Sequence, residues 1–307
     1  MEEKIDILLA TYNGEQYISE QIESILSQTY ENFNLIISDD NSTDNTLIIL
    51  KKYEKKDNRI KIFVQNSNLG YVKNFEFLMQ QVKSKYFMLA DQDDVWLEDK
   101  IEKSYKKMIQ ENADLVFSDL KVVDENLNLL YKSFNKHMKL YRKICKYSDY
   151  RLEILYNCIT GNTIICKQKF INKILPIPEG IKHDAWIGLI VSFNGKIKYL
   201  DEQLILYRQH ENNQIGIKRQ KGERRNKIIN IRKKQFLVYN RHKKIFPNEI
   251  RKLNEEAFEY FNLIENIKVL NLKKIGVFYR LYKYETIKMF ILNFILLNIP
   301  MLSKHYK

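Results

Sequence analysis

The chain has 307 residues, 45% hydrophobic and 12% aromatic, which suits one large globular domain with an appendage and excludes a disordered chain. Its three cysteines, Cys145, Cys158 and Cys166, show no paired C-x-x-C spacing, so neither a disulfide framework nor a zinc knuckle is supported. The formal net charge is +13, and residues 201–307 hold 23 Lys and Arg against 10 Asp and Glu, leaving 28 of each in residues 1–200, so a neutral catalytic body with a basic appendage facing something anionic is expected.

The opening "MEEKIDILLATYNG" carries acids where a secretory signal needs bases, and its apolar run is short. A cytoplasmic protein is expected. "IDILLAT" (5–11) reads as a buried strand. Residues 15–28 then place Ile18, Ile22, Ile25 and Leu26 on one helical face. "FNLIISDD" (33–40) is a second strand ending in carboxylates. A helix from about Asn45 follows, with Ser42, Thr43 and Asp44 as N-cap candidates. "IKIFVQN" (60–66) is a third strand, residues 68–82 a loop and helix, and "YFMLA" (86–90) a fourth strand running into Asp91. A helix over 97–110 and a strand over 114–119 continue the rhythm. Strand and helix in alternation predict an α/β fold with a mostly parallel sheet and helices on both faces. Ligands bind such sheets at the carboxyl ends of the strands, where Asn13, Asp39, Asp40 and Asp91–Asp94 all fall.

Further on, "NCITGNTIICK" (157–167) predicts a turn at Gly161 and then a strand. His183 and Asp184 are placed just before an apolar helix, and residues 196–213 read as two strand-like pieces. From about Ile217 the pattern is helical, basic and rich in Tyr and Phe. The apolar stretch "MFILNFILLNIPML" (289–302) falls short of the ~20 residues of a spanning helix. Flanked by Tyr279, Tyr282, Lys283, Lys288, Lys304 and Lys307, it suits peripheral contact with an anionic membrane face. The alternative is packing on the catalytic domain or on a second subunit, as in a homodimer.

Asp91-x-Asp93 at a strand end presents two carboxylates that a hard cation such as Mg²⁺ or Mn²⁺ would take together with substrate phosphates. The plainer account is an acidic loop capping the next helix. Neither G-x-x-x-x-G-K-[ST] nor G-x-G-x-x-G follows the first strand, where Asn13-Gly14-Glu15 stands, so a P-loop enzyme and a dinucleotide dehydrogenase are disfavoured.

"ATYNGEQYISEQIESILSQTYENFNLIISDDNSTDNT", then "ADQDDVW", "TGNT", "HDAW" and "YRQHENNQIG", resemble in order and spacing the inverting glycosyltransferases of family 2, which have the GT-A fold. "DQDDVW" is most similar to rhamnosyltransferase-like bacterial members that build cell-surface polysaccharide. The resemblance covers the first 120 or so residues closely and continues to about residue 216. It implies a catalytic domain over 1–216, with a nucleotide-sugar half (1–120) and an acceptor half (121–216), and a helical C-terminal region over 217–307. It implies a nucleoside diphosphate-sugar donor, UDP- or dTDP-linked, and a glycan acceptor that is lipid-linked.

By position, Ala10, Thr11, Tyr12 and Asn13 would surround the nucleoside, with Tyr12 against the base. Asp40 would accept the pyrimidine N–H while Asp39 organises the loop, and Asn74 would help hold the donor. Asp93 would be the principal metal ligand with Asp91 near the ribose, His210 a third ligand or a lid anchor, and Arg208 a phosphate contact. Asp184 matches the catalytic base, although it could instead cap the helix at Ala185. The family more often has Glu where His183 stands. Gly161 and Trp186 would line the acceptor side, unless Trp186 belongs to the core. Two rival classes remain in view. A nucleotidyltransferase would want a Lys- or Arg-bearing loop after the first strand, which "TYNGEQY" lacks. A nucleic-acid binder is suggested by a pI of about 9.3, yet no reading motif appears, so nucleic acid is not expected as a partner.

Overall fold

A computed structural model describes residues 3–146, 149–210 and 221–265. The chain divides into two compact units, residues 1–218 and 219–307.

In the first unit β1 (Ile5–Thr11), α1 (Ile18–Leu26), β2 (Phe33–Asp39), α2 (Thr46–Glu54), β3 (Ile60–Val64), α3 (Tyr71–Gln80) and β4 (Tyr86–Ala90) follow the expected order. Then come β5 (Val95–Trp96), α4 (Lys100–Gln110), β6 (Leu115–Val123), β7 (Leu129–Tyr131), α5 (Phe134–His137), α6 (Tyr141–Lys146) and α7 (Arg151–Tyr156). The unit closes with β8 (Ile164–Lys167), α8 (Ile171–Ile174), α9 (His183–Asn194) and β9 (Ile197–Arg208). The nine strands form one sheet, β3-β2-β1-β4-β8-β6-β9-β5, with β7 paired to β6.

The first four strands are parallel, as the alternating pattern predicts. Beyond them the sheet is mixed. β8 lies antiparallel between β4 and β6, β6 and β9 are parallel, and β5 and β7 pair antiparallel with β9 and β6. The helices between β7 and β8 have only four to six residues, too short to carry the chain back across the sheet as a parallel crossover requires.

Both faces of the central strands are covered, which is why they read as unbroken apolar runs. Ile5, Ile7 and Leu9 of β1, Phe33, Leu35 and Ile37 of β2, and Tyr86 and Met88 of β4 join Ile18, Ile22 and Ile25 of α1 and Ile101 and Met108 of α4 in one buried cluster. The alternate residues Leu8, Ile36, Phe87 and Leu89 are buried on the opposite face. Each such side chain contributes about 1.5–3 kcal/mol, so the frame that carries the loops is rigid.

Two local expectations are corrected. The two strand-like pieces after residue 196 are one strand, β9. Its pairing jumps from Ser118↔Leu200 to Asp119↔Gln203, so the polar residues Asp201 and Glu202 mark a bulge rather than a turn. α9 begins at His183 after the extended Lys182, so His183 and Asp184 occupy its first turn instead of preceding it.

The second unit contains α10 (Lys221–Arg241) and α11 (Asn248–Glu265), which bury Phe236, Tyr239, Phe246, Ile250, Leu253 and Ala257. Among the described residues no helix is long and apolar enough to cross a membrane. The stretch 289–302 lies outside the described residues.

Candidate active site

Three loops at the carboxyl ends of β1, β2 and β4 are cross-linked by polar side chains. Asn13, in the left-handed region (φ 48°), receives Thr43 N–H on Oδ1 at 2.8 Å and donates its own amide to Ser42 Oγ at 2.9 Å. Gly14 N–H reaches Thr46 Oγ1 at 2.8 Å, and Glu15 accepts both the backbone and side-chain N–H of Asn45. Asp39 accepts the hydroxyl and amide of Ser42, which organises the β2 loop. Asp40, 2% exposed, accepts the amides of Leu69 and Gly70, each at 2.8 Å, and so fixes the entry to α3. Ala10 is half-buried, Thr11 is buried, and Tyr12 stands 43% exposed beside this network.

The β4 loop is tied to β1 by Gln92, for which sequence reasoning had no role. Its Oε1 accepts Thr11 Oγ1–H at 2.7 Å and Tyr12 N–H at 2.8 Å, and its Nε2 donates to the Tyr12 carbonyl at 3.1 Å. A Cβ on Gly14 would lie 2.5 Å from Gln92 Oε1, so a side chain there would push the Gln92 amide off Thr11 and Tyr12. From the other side, Ser24 of α1 accepts Trp96 N–H at 3.0 Å, and Gln28 bonds the Leu97 carbonyl and Ile101 amide. The acidic run is therefore clamped at both ends.

Within the run the carboxylates divide. Asp94 is fully buried. Its oxygens accept from Asn162 and from the backbone of Arg208, linking β4 to the "TGNT" turn and to the end of β9. Burial, and then the charges of Asp93 and Asp91, hold its carboxyl well above the usual range. Asp91 is half-buried. Burial first, then the nearby charges of Asp93 and Asp184, push it up to about 7. Asp93 Oδ2 lies 2.9 Å from His210 Nε2, and the imidazole packs 4.9 Å from the Tyr17 ring.

Asp184, half-buried at the start of α9, accepts the adjacent Ala185 amide at 2.7 Å. It thus meets the helix end while its charge is felt by Asp91 and by the Tyr71 phenol. His183 is 7% exposed, stacks on Phe75 at 4.2 Å, and meets the Tyr71 edge at 5.8 Å. Neither of its ring nitrogens has a hydrogen-bond partner. Burial lowers its pKa, with Asp184 opposing. Gly161 lies against both residues, and a Cβ there would come within 2.8 Å of His183 Nε2.

Three expected ligand contacts have other tasks in the structure. Asn74, 1% exposed, donates to the Ser38 carbonyl at 2.9 Å and pins α3 to β2. Arg208, 2% exposed, spends its donors on the Asp93 carbonyl, the Glu125 carbonyl and the Glu20 carboxylate, with its guanidinium 4.5 Å over Tyr17. These bonds join the Asp93 loop to the Glu125 turn and to α1. Trp186, 2% exposed, donates Nε1–H to the Ile174 carbonyl at 2.8 Å and belongs to the core. Among the described residues no three His, Cys, Asp or Glu are grouped to hold a metal by themselves. Two acids and an imidazole around Asp93 nonetheless fit a cation whose remaining ligands come from a diphosphate, since hard cations take oxygen and imidazole donors.

The sheet order and this cluster of loops are those of a GT-A glycosyltransferase. Residues 6–174 match the family described as Glycosyl transferase family 2, and the chain belongs to that family. An uncharacterized glycosyltransferase of Methanocaldococcus jannaschii is 33% identical over 224 residues, covering 71% of this chain and 75% of that protein. The dTDP-rhamnosyl transferase RfbG of Shigella flexneri is 33% identical over 219 residues, 68% of this chain and 73% of that one. The UDP-Glc:alpha-D-GlcNAc-diphosphoundecaprenol beta-1,3-glucosyltransferase WfgD of Escherichia coli is 28% identical over 197 residues, 64% of this chain and 73% of that one. In fold the chain resembles S. aureus TarS 1-349 in complex with UDP-GlcNAc (TM-score 0.62, 17% identity, 89% of this chain and 78% of that one). It also resembles the mannosyltransferase PcManGT of Pyrobaculum calidifontis in complex with GDP-Man and Mn²⁺ (TM-score 0.61, 10% identity, 99% and 83%). The protein is a glycosyltransferase.

Proposed function

We propose that the enzyme moves a sugar from a nucleoside diphosphate-sugar to a hydroxyl of a growing cell-surface glycan, with inversion, in a single displacement. The observation that carries this reading is that Gly161 lies against Asp184 while the adjacent Asn162 donates to Asp94, so the start of α9 and the acidic loop meet at one turn. A single displacement needs one base beside the acceptor oxygen and one charged cradle for the leaving diphosphate, and a carboxylate near the acidic loop supports that reading.

Asp184 takes the proton of the acceptor hydroxyl as that oxygen attacks the anomeric carbon, a contribution of about 10²–10⁴-fold. Asp93, Asp91 and His210 would hold Mg²⁺ or Mn²⁺, which when bound neutralises charge on the departing diphosphate. Asp40 accepts the imide N–H of a uracil or thymine with a lone pair not used by Leu69 and Gly70, Tyr12 covers the base, and Ala10, Thr11 and Asn13 shape the nucleoside pocket. Gly161 keeps the acceptor side open next to Asp184. Similarity to RfbG favours a dTDP-rhamnose donor, and similarity to WfgD favours a lipid-linked acceptor. The C-terminal region would hold the enzyme at the cytoplasmic membrane face or against a second copy.

The test is Asp184→Asn, which keeps the volume and the amide contact but removes the base. Donor binding by calorimetry is expected near wild type, while glycosyl transfer falls by about 10²-fold or more. A variant that loses stability yet keeps its rate per folded molecule refutes the assignment.

A further inference from the structure

A strand with one buried face shows one covered residue in two, yet β7 covers none. Leu129, Leu130 and Tyr131 are consecutive and 51%, 41% and 39% exposed, so apolar side chains leave both faces of a strand at the margin of the sheet. Exposed apolar residues grouped in this way mark an interaction surface.

The chain around them supplies the complementary charge. Between residues 129 and 146 lie six Lys and Arg and no Asp or Glu. Lys132, Lys136, Lys139 and Arg142 are exposed, and none is in a salt bridge among the described residues. Aromatic rings are interleaved: His137 stacks on Tyr131 at 3.6 Å, and the Lys136 amine sits 4.9 Å over Tyr141. Asp119 of β6 lies buried beneath this segment, bonded to Ser133 and Asn135, and further acids stand in the preceding turn and on β9. There Asp124 accepts the Asn126 and Asn128 amides, Glu125 is exposed, and Asp201 accepts the Tyr141 hydroxyl.

The surface is rigidly mounted beside the active site. Ser133 donates to the buried Asp119 of β6 and caps α5 by accepting the Lys136 amide, and Asn135 N–H also bonds Asp119. The Glu125 carbonyl shares Arg208 with the Asp93 carbonyl, so the turn leading to β7 is one side chain from the β4 loop.

We infer that residues 129–142 form a docking surface for an anionic lipid bilayer, with Leu129, Leu130 and Tyr131 entering the headgroup boundary and Lys132, Lys136, Lys139 and Arg142 meeting the lipid charges. Apolar and aromatic side chains ringed by cations suit that boundary, where each basic residue contributes to binding. The inference concerns a surface separate from the C-terminal region and holds for any sugar transferred.

Flotation of the full chain with phosphatidylcholine–phosphatidylglycerol vesicles tests it, with phosphatidylcholine vesicles as control. Wild type floats with the anionic vesicles only. At ~fivefold per cation, Lys132→Gln with Lys136→Gln, Lys139→Gln and Arg142→Gln lowers partitioning by about 600-fold, at an unchanged unfolding temperature. In a second measurement the indole introduced by Tyr131→Trp shifts its emission to the blue on anionic vesicles, against the constant background of buried Trp96 and Trp186. Absence of wild-type flotation at low salt overturns the inference. So does a four-fold variant that floats like wild type, which would put attachment in residues 217–307. An introduced indole that does not respond while the protein floats overturns it as well.

Discussion

The loops around β1 and β2 and the segment that follows β4 satisfy their polar groups to different degrees. Around β1 and β2 the loops are partly exposed, and nearly every polar atom named above has a partner: Asn13 with Thr43 and Ser42, Glu15 with Asn45, Gln92 with Thr11 and Tyr12. Past β4 more of the described buried polar atoms lack partners, among them both ring nitrogens of His183, Asn162 Oδ1 and Lys100 Nζ, against Gln21 Nε2 and Asn74 Oδ1 before it. The β1 and β2 loops are organised by hydrogen bonds to the carboxylates of Glu15, Asp39 and Asp40 and to neutral side chains. The segment past β4 carries unpaired and mutually repelling groups, and burial there makes each of them costly. Alteration of the β1 and β2 loops should therefore change donor binding, and alteration of the segment past β4 should change rate and stability together.

The largest effect is expected at the seam. Asp93→Ala removes the carboxylate that meets His210, and donor turnover is expected to fall by orders of magnitude with the fold intact by circular dichroism. Wild-type turnover in the presence of EDTA is expected to be lost too. Full activity of either would separate Asp93 from any metal. Arg208→Ala comes next. It strips partners from two carbonyls and from Glu20, at a cost of about 3 kcal/mol or more. Unfolding temperature and rate should drop together. A raised donor KM at unchanged stability would restore the phosphate-binding role.

Lys100 tests the segment past β4 through pH. Its amine is buried 3.9 Å over the Trp96 ring, and burial pushes its pKa down to about 7 although Asp94 opposes the shift. The unfolded chain keeps the ordinary value near 10.5 and so binds a proton that the folded chain lacks between the two values. Stability therefore rises with pH from about 7 toward 10.5, by at most about 1.4 kcal/mol per pH unit from this group. Lys100→Met should remove that rise, measured by urea unfolding across the window. An unchanged slope would mean that the amine reaches water or a proton partner.

The same contrast governs what could be read from the sequence. β1 to β4 were legible because apolar runs of five to seven residues alternate with helical spacing, and carboxylates stand where strands end. β5 and β7, two and three residues long, carry no periodic signal. At Arg208 the structure adds partners that charge alone did not suggest. A guanidinium beside a diphosphate-type loop suggests an anion, whereas its five donors suit carbonyls equally well. Gln92 was invisible because an amide inside an acidic run has no chemistry to announce. Its role appears only when β1 and β4 lie side by side.

The smallest predicted effect asks whether the cleft or the core claims Trp186. As a platform for an acceptor sugar its ring would have to face the cleft, and as core it needs only its indole N–H satisfied. The ring is 2% exposed and its N–H reaches the Ile174 carbonyl, which ties α9, and with it Asp184, to the end of α8. Trp186→Phe keeps an aromatic ring but leaves that carbonyl unpaired, so a stability loss of about 1 kcal/mol is expected. Acceptor KM should stay within twofold of wild type for a ring that serves only the core. A fall in kcat with unchanged KM would show that the carbonyl bond positions Asp184 through the helix. A rise in acceptor KM with no loss of stability would return Trp186 to the cleft and break the contrast between the two regions.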